Sequence, residues 1–146
     1  MSKSNTFEND LMLLVFNNTS IANIGDAGGL LASAAAGSLY ASLHTADPGE
    51  AGTAITSETA YTGYARIAIA RSGAGFVVTG NSVSPAANVD FGECTAAAGG
   101  PFTHFGIVNT ASGAGKLLYS GTVTPNITMA VGVIPRLKTT STITED

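Results

Sequence analysis

Two histidines, one cysteine and ten carboxylates are the groups in this chain that could move a proton, attack a carbonyl or hold a metal. A nucleophilic site needs a serine or cysteine beside a base, with a third group to orient the base. The candidate bases are His44 and His104. Each falls in a strand-like segment among Thr, Ser, Leu and Phe, and each is read as a hydrogen-bonded structural histidine. No G-x-S-x-G turn occurs that would expose a serine. Cys94 follows Glu93, whose negative charge disfavours a thiolate, so it is read as an inert thiol. One cysteine and two distant histidines do not supply the spaced N and S ligands of a zinc site. Asp47 and Glu50 lack the alternating acidic residues of a calcium loop and are read as a solvated acidic turn. Gly113-Ala114-Gly115-Lys116 has the end of a phosphate loop, but Leu117 stands where Ser or Thr should hold magnesium and Thr110 where the first Gly should be. It is read as a hairpin turn. Gly73-Ala74-Gly75 connects two strands instead of opening a helix, so the dinucleotide fingerprint fails on context. The expectation is a protein without catalytic residues, cofactor or metal.

The elements that would position these groups are read from periodicity. Phe7, Leu11, Leu14 and Val15 recur at helical spacing and predict a helix from about Thr6 to Phe16, with Ser4 or Thr6 as cap and Asn17-Asn18 as its end. That stripe must pack on its own domain or on a neighbour. The Gly- and Ala-rich stretch from Ile24 to Gly37 is a poor helix and is read as a mobile or partner-ordered connection. Beyond it the period changes to two. Strands are predicted at Leu39 to His44, Tyr64 to Arg71, Gly75 to Thr79, Val89 to Phe91, Thr103 to Val108, Leu117 to Val123, Val133 to Leu137 and Thr140 to Thr144. In Tyr64 to Arg71 the reading places Ala65, Ile67 and Ile69 on one face and Tyr64, Arg66, Ala68 and Ala70 on the other. About eight strands predict a mainly β fold, an antiparallel sandwich of the jelly-roll kind with a short N-terminal helix. The helix and connection occupy residues 1–38 and the sandwich 39–146. Asp47-Pro48-Gly49-Glu50 is a turn by its residue types, and the loop around it, Ala46 to Thr59, is the first candidate for a contact arm.

Composition narrows the partners. Of 146 residues, 45% are hydrophobic and only 11% charged, less than half the roughly 25% usual in soluble domains. Such a surface suits a protein covered by neighbours. The net charge of −4, with six Lys and Arg scattered along the chain, offers no basic stripe for a phosphate backbone, which disfavours direct nucleic-acid binding. The longest early apolar run, Leu11 to Phe16, is too short for a membrane span and follows Glu8 and Asp10, so no targeting or membrane segment is expected. A single cysteine fits folding in a reducing cytoplasm.

Four blocks carry a family resemblance: residues 39–52, from Leu39-Tyr40-Ala41 through His44-Thr45-Ala46-Asp47-Pro48-Gly49-Glu50 to Gly52; Tyr61-Thr62-Gly63-Tyr64-Ala65-Arg66; Thr103-His104-Phe105-Gly106; and Gly115-Lys116-Leu117-Leu118-Tyr119-Ser120-Gly121. Together they resemble small virion proteins of tailed bacteriophages and prophages, over most of the chain. Members are often labelled tail-fibre proteins, and the size and strand pattern are also similar to jelly-roll cement proteins. The resemblance leaves both labels open; 146 residues with no repeat or heptad pattern suit a long fibre poorly and favour a capsid cement or decoration protein, made in the host bacterial cytoplasm and bound to the outer surface of the phage head. Its partners would be the major capsid protein and other copies of itself, as dimer or trimer; the alternative is a tail-fibre or adhesion role. The expected interface residues are Phe7, Leu11, Leu14, Val15, Asp47, Pro48, Gly49 and Glu50.

Overall fold

The N-terminal helix forms where the sequence places it. In the computed structural model, which describes residues 2–96 and 99–146, α1 spans Asn5–Asn17. Ser4 caps it from extended backbone, its hydroxyl accepting from the Phe7 N–H at 3.4 Å, and Asn18 ends it in the left-handed region. The buried face differs from the expected stripe. Met12 and Phe16 are fully buried and Glu8 nearly so, whereas Leu11, Leu14 and Val15 are half-buried and Phe7 is exposed. Seven of the ten residues from Phe7 to Phe16 are apolar, so hydrophobicity alone does not select a face. The large side chains at i and i+4 that meet a partner ring select it: Phe16 packs edge-on against Phe76, ring centres 5.0 Å apart.

Among the described residues nine strands follow: β1 Ser38–His44, β2 Ile67–Ala70, β3 Phe76–Thr79, β4 Ser82–Pro85, β5 Val89–Asp90, β6 Phe102–Val108, β7 Leu117–Ile127, β8 Arg136–Leu137 and β9 Ile143–Thr144. They form sheets ordered β2-β1-β6-β7, β3-β4-β9 and β5-β8, and the registered pairs are antiparallel. The protein is thus mainly β with one short helix. The chain divides into two compact units, one of residues 1–38, 69–88 and 138–146, the other of residues 39–68 and 89–137.

The first unit holds α1, β3, β4 and β9. Its core is Met12, Phe16, Phe76 and Val83, with Val78 and Val83 paired across the β3–β4 hairpin. α1 has no basic residue in its last turn. Arg71 supplies the missing donors, Nε reaching the Val15 carbonyl at 2.7 Å and a terminal nitrogen the Leu14 carbonyl at 2.5 Å. The connection after α1, expected as mobile or partner-ordered, carries hydrogen bonds of its own. Ile21 and Leu30 exchange backbone hydrogen bonds of 2.9 and 2.8 Å, Asp26 accepts from the Gly28 and Gly29 N–H groups, and Asn18 closes on both backbone groups of Ser33.

The second unit is built on β1 and β6, paired from Tyr40↔Val108 to His44↔His104. One face of β1 buries Leu39, Ala41 and Leu43, within a core that includes Phe102, Val108, Phe91 and Cys94. Aromatic rings run through this unit in series, Phe91 to Tyr64 to Tyr61 to Phe102, at centroid spacings of 6.3, 5.4 and 5.6 Å. The other face of β1 carries Ser42 and His44, which are also fully buried. A half-polar strand covered on both sides requires a polar lid, and the segment after β1 supplies it.

Candidate functional site: a buried arginine knot under the 46–59 loop

Between Ala51 and Ala70 the chain carries only two charges, Glu58 and Arg66, and they meet. Only four residues of the expected Tyr64 to Arg71 strand, Ile67–Ala70, are strand, and the backbone before them turns Arg66 inward. Its side chain is 2% exposed. Nε donates to Glu58 Oε1 and a terminal nitrogen to Oε2, both at 2.7 Å, a two-pronged ion pair. The remaining N–H groups reach the carbonyls of Ala54 (3.2 Å), Gly113 (3.0 Å) and Thr110 (3.1 Å) and the Thr110 hydroxyl (3.0 Å). A guanidinium has five N–H donors, and here all have acceptors. Tyr64 completes the knot, its hydroxyl donating to Glu58 Oε1 at 2.8 Å and accepting from the Leu43 N–H at 3.2 Å.

The electrostatics follow from this closure. Hydrogen bonding to Glu58 raises the Arg66 pKa further, against its desolvation, so the group is cationic throughout the working range. Burial, then the Glu58 carboxylate, push the Tyr64 hydroxyl well above the usual phenol range, which keeps it a neutral donor. Tyr61, buried and donating to the Gly92 carbonyl at 2.6 Å, is pushed up to about 12, chiefly by burial and then by Cys94.

The same loop covers Ser42 and His44. His44 Nδ1 lies 2.8 Å from the Thr56 carbonyl, which can only accept, so Nδ1 carries the proton; Nε2 then accepts from the Ser42 hydroxyl at 2.9 Å. A serine hydrogen-bonded to a histidine is the geometry of an activated nucleophile. Here both residues have no exposed surface, and the orienting group is a neutral carbonyl. Gly106, opposite Ser42, is required by close approach: a Cβ there would stand 2.6 Å from Ser42 Oγ and 2.8 Å from His44 Nε2. His44, through the Thr56 carbonyl, ties the loop to the sheet. His104 is half-buried and binds the neighbouring Thr103 hydroxyl at 2.8 Å.

Burial holds the His44 pKa below its ordinary 6.5, the Thr56 carbonyl and Glu58 opposing in part. The unfolded chain therefore takes up this proton more readily than the folded one. Its contribution to stability is complete above about pH 6.5 and is lost as the pH falls through the folded value. We expect unfolding free energy to decline as the pH falls below about 6.5, and the decline to shrink in His44→Gln. An NMR titration of the ring should give a midpoint below 6.5.

The expected interface residues fall in both units. Phe7, Leu11, Leu14 and Val15 lie on α1 in the first; Asp47, Pro48, Gly49 and Glu50 lie in the second. Asp47 caps its own turn, Oδ1 accepting from the Gly49 N–H at 2.9 Å, and Gly49 has the positive φ of 69° that the turn requires. Asp47, Gly49 and Glu50 are exposed, while Pro48 is buried. A groove of about 400 Å³ runs between this turn and β7, lined by Asp47, Glu50, His104, Leu118, Ser120 and Thr122 among others. Ser42 and His44 do not line it. Among the described residues no group of three or more His, Cys, Asp or Glu is placed to hold a metal ion, and no helix is long and apolar enough to cross a membrane.

Reading the chain alone misses Arg66, because an arginine next to alternating isoleucines passes as an outward strand residue. The signal that could have found it is the isolation of Glu58 and Arg66 in a charge-free stretch, where each is the other's available partner.

The chain matches the family model described as Podophage GP4 fiber I protein gp80 over residues 2–144, and it belongs to that family of phage structural proteins. No curated protein matches it.

Proposed function

We infer that this chain is a structural subunit of a tailed-phage fibre and acts by contact instead of catalysis. The observation that carries the reading is the family match across residues 2–144, whose description is that of a podophage fibre protein. The fold is consistent with it. The Asp47–Glu50 turn sits on a loop fixed by Arg66, Glu58 and His44, so whatever it touches meets a preorganised surface at low entropic cost. The exposed turn and the half-buried flank of α1 are the contact elements in this reading.

A cement protein on the outer face of the head, bridging major capsid subunits and other copies of itself, is the second reading. It is favoured by the lack of any fixed repeat or heptad in the 146 residues, which a long fibre shaft would carry, and by antiparallel sheets compatible with a jelly roll. Particles lacking the protein separate the two. The fibre reading predicts heads that retain DNA at the wild-type temperature and adsorption to host cells that is lost. DNA release at lower temperature with normal adsorption would favour the cement reading and overturn the first.

A further inference from the structure

We propose that the groove between the Asp47–Glu50 turn and β7 binds a neutral, hydroxyl-rich ligand, a saccharide of one or a few units. This goes beyond the fibre reading and does not depend on head or tail placement. Both walls of the groove belong to the second unit, and sheet register explains why it lies there. Residues paired across an antiparallel ladder project from the same face. One row runs Ser42, Gly106, Ser120 and the next His44, His104, Thr122. The 46–59 loop covers the β1 end of these rows, with the Thr56 carbonyl on His44. Over β7 the face stays open, and Ser120 and Thr122 are exposed. With the turn as the other wall the space is about 400 Å³, within the roughly 300–1,000 Å³ of ligand sites.

The polar side chains that line this space have bonding capacity to spare. His104 Nδ1 meets the Thr103 hydroxyl, and one Asp47 oxygen accepts from the Gly49 N–H. Among the described residues, His104 Nε2, the other Asp47 oxygen, the Glu50 carboxylate and the Ser120 and Thr122 hydroxyls make no hydrogen bond within the chain. Five polar side chains from the turn, β6 and β7 thus converge with unused donors and acceptors. At the Arg66 knot, under the same loop, every guanidinium donor is matched.

The same lining selects the ligand. No lysine or arginine lines the groove, and its two carboxylates repel an anion. A carboxylate only accepts, whereas a hydroxyl both donates and accepts. An ammonium, which only donates, would satisfy Asp47 and Glu50 and leave the Ser120 and Thr122 protons without acceptors. A sugar carries a donor and an acceptor on each of several neighbouring hydroxyls, and those that donate to a carboxylate make the stronger, charge-assisted bond. Leu118 offers the C–H face of a ring an apolar contact. The turn sits on a loop already held by Arg66, Glu58 and His44, so little ordering is needed on binding.

The test is a proton–nitrogen NMR titration of the purified full chain with maltose, cellobiose and lactose, and in parallel with spermidine and with inorganic phosphate. At least one disaccharide should shift the amide signals of residues 47–52, 104 and 117–122 saturably and leave those of the first unit in place. Neither spermidine nor phosphate should do so. Glu50→Gln should weaken the sugar about tenfold and Thr122→Val by a smaller factor, the bond to a charged group being the stronger, both with unchanged circular dichroism. No saturable shift with any of the three sugars overturns the proposal, as does saturation by spermidine in their place or sugar binding unchanged in both variants. None of these outcomes moves the fibre reading, which rests on the family match.

Discussion

Replacing Arg66 by alanine should destabilise the protein by about 3–5 kcal/mol, the cost of leaving a buried charge without its partner. The residue binds Glu58, whose side chain is 14% exposed, together with the carbonyls of Ala54, Thr110 and Gly113. Truncation orphans a carboxylate and several acceptors at once, and water reaches them poorly. With total stabilities of roughly 5–15 kcal/mol for a domain, this is a large share. Arg66→Lys should recover only part of the loss, because an ammonium cannot reproduce the two-pronged contact or five separate donors. Combining Arg66→Met with Glu58→Gln should cost less than the sum of the two single changes by about 0.5–3 kcal/mol, since each removes the reason the other was needed. Urea unfolding of the wild type, the four single variants and the double variant measures all of this. An Arg66→Ala cost below about 1 kcal/mol would mean that the pair is solvated, as surface ion pairs are.

Phe16→Ala should cost about 3–5 kcal/mol, the range for deleting a buried ring and leaving its cavity. Phe16 has no exposed surface and packs on Phe76, itself 2% exposed. Phe7→Ala should stay within about 0.5 kcal/mol, because Phe7 is 37% exposed. For a chain of this size each kcal/mol moves Tm by roughly 2–4 °C, so thermal unfolding should place Phe16→Ala about 10 °C below wild type with Phe7→Ala beside it. The reverse order would return α1 to the stripe of Phe7, Leu11, Leu14 and Val15.

These two residues also mark what was legible in the sequence. The existence of α1 was legible because its cap, period and terminal asparagines agree; its buried face was not, because apolar residues cover most of the helix and the partner ring, Phe76, is distant in sequence. Strands with clear alternation, such as β1 and β6, lie within a residue of their expected bounds. β4, Ser82–Pro85, was missed, since serine and proline argue against a strand. The signal was present in Gly80-Asn81, a two-residue connection with Gly80 at φ 60° that suits a tight hairpin. The knot was hidden for a different reason. Burying an arginine depends on acceptors from Ala54, Thr110 and Gly113, backbone groups that every residue possesses and no sequence pattern reveals. Low charge was the legible part: with 11% charged residues, each ion pair was worth placing.

We propose this chain as a fibre subunit of the virion. The most direct measurement is its position in images of intact particles, with an antibody fragment against the exposed Asp47–Glu50 turn as the marker. A fibre subunit puts label on the fibres of the tail and none on the head lattice. Label distributed over the head would contradict it.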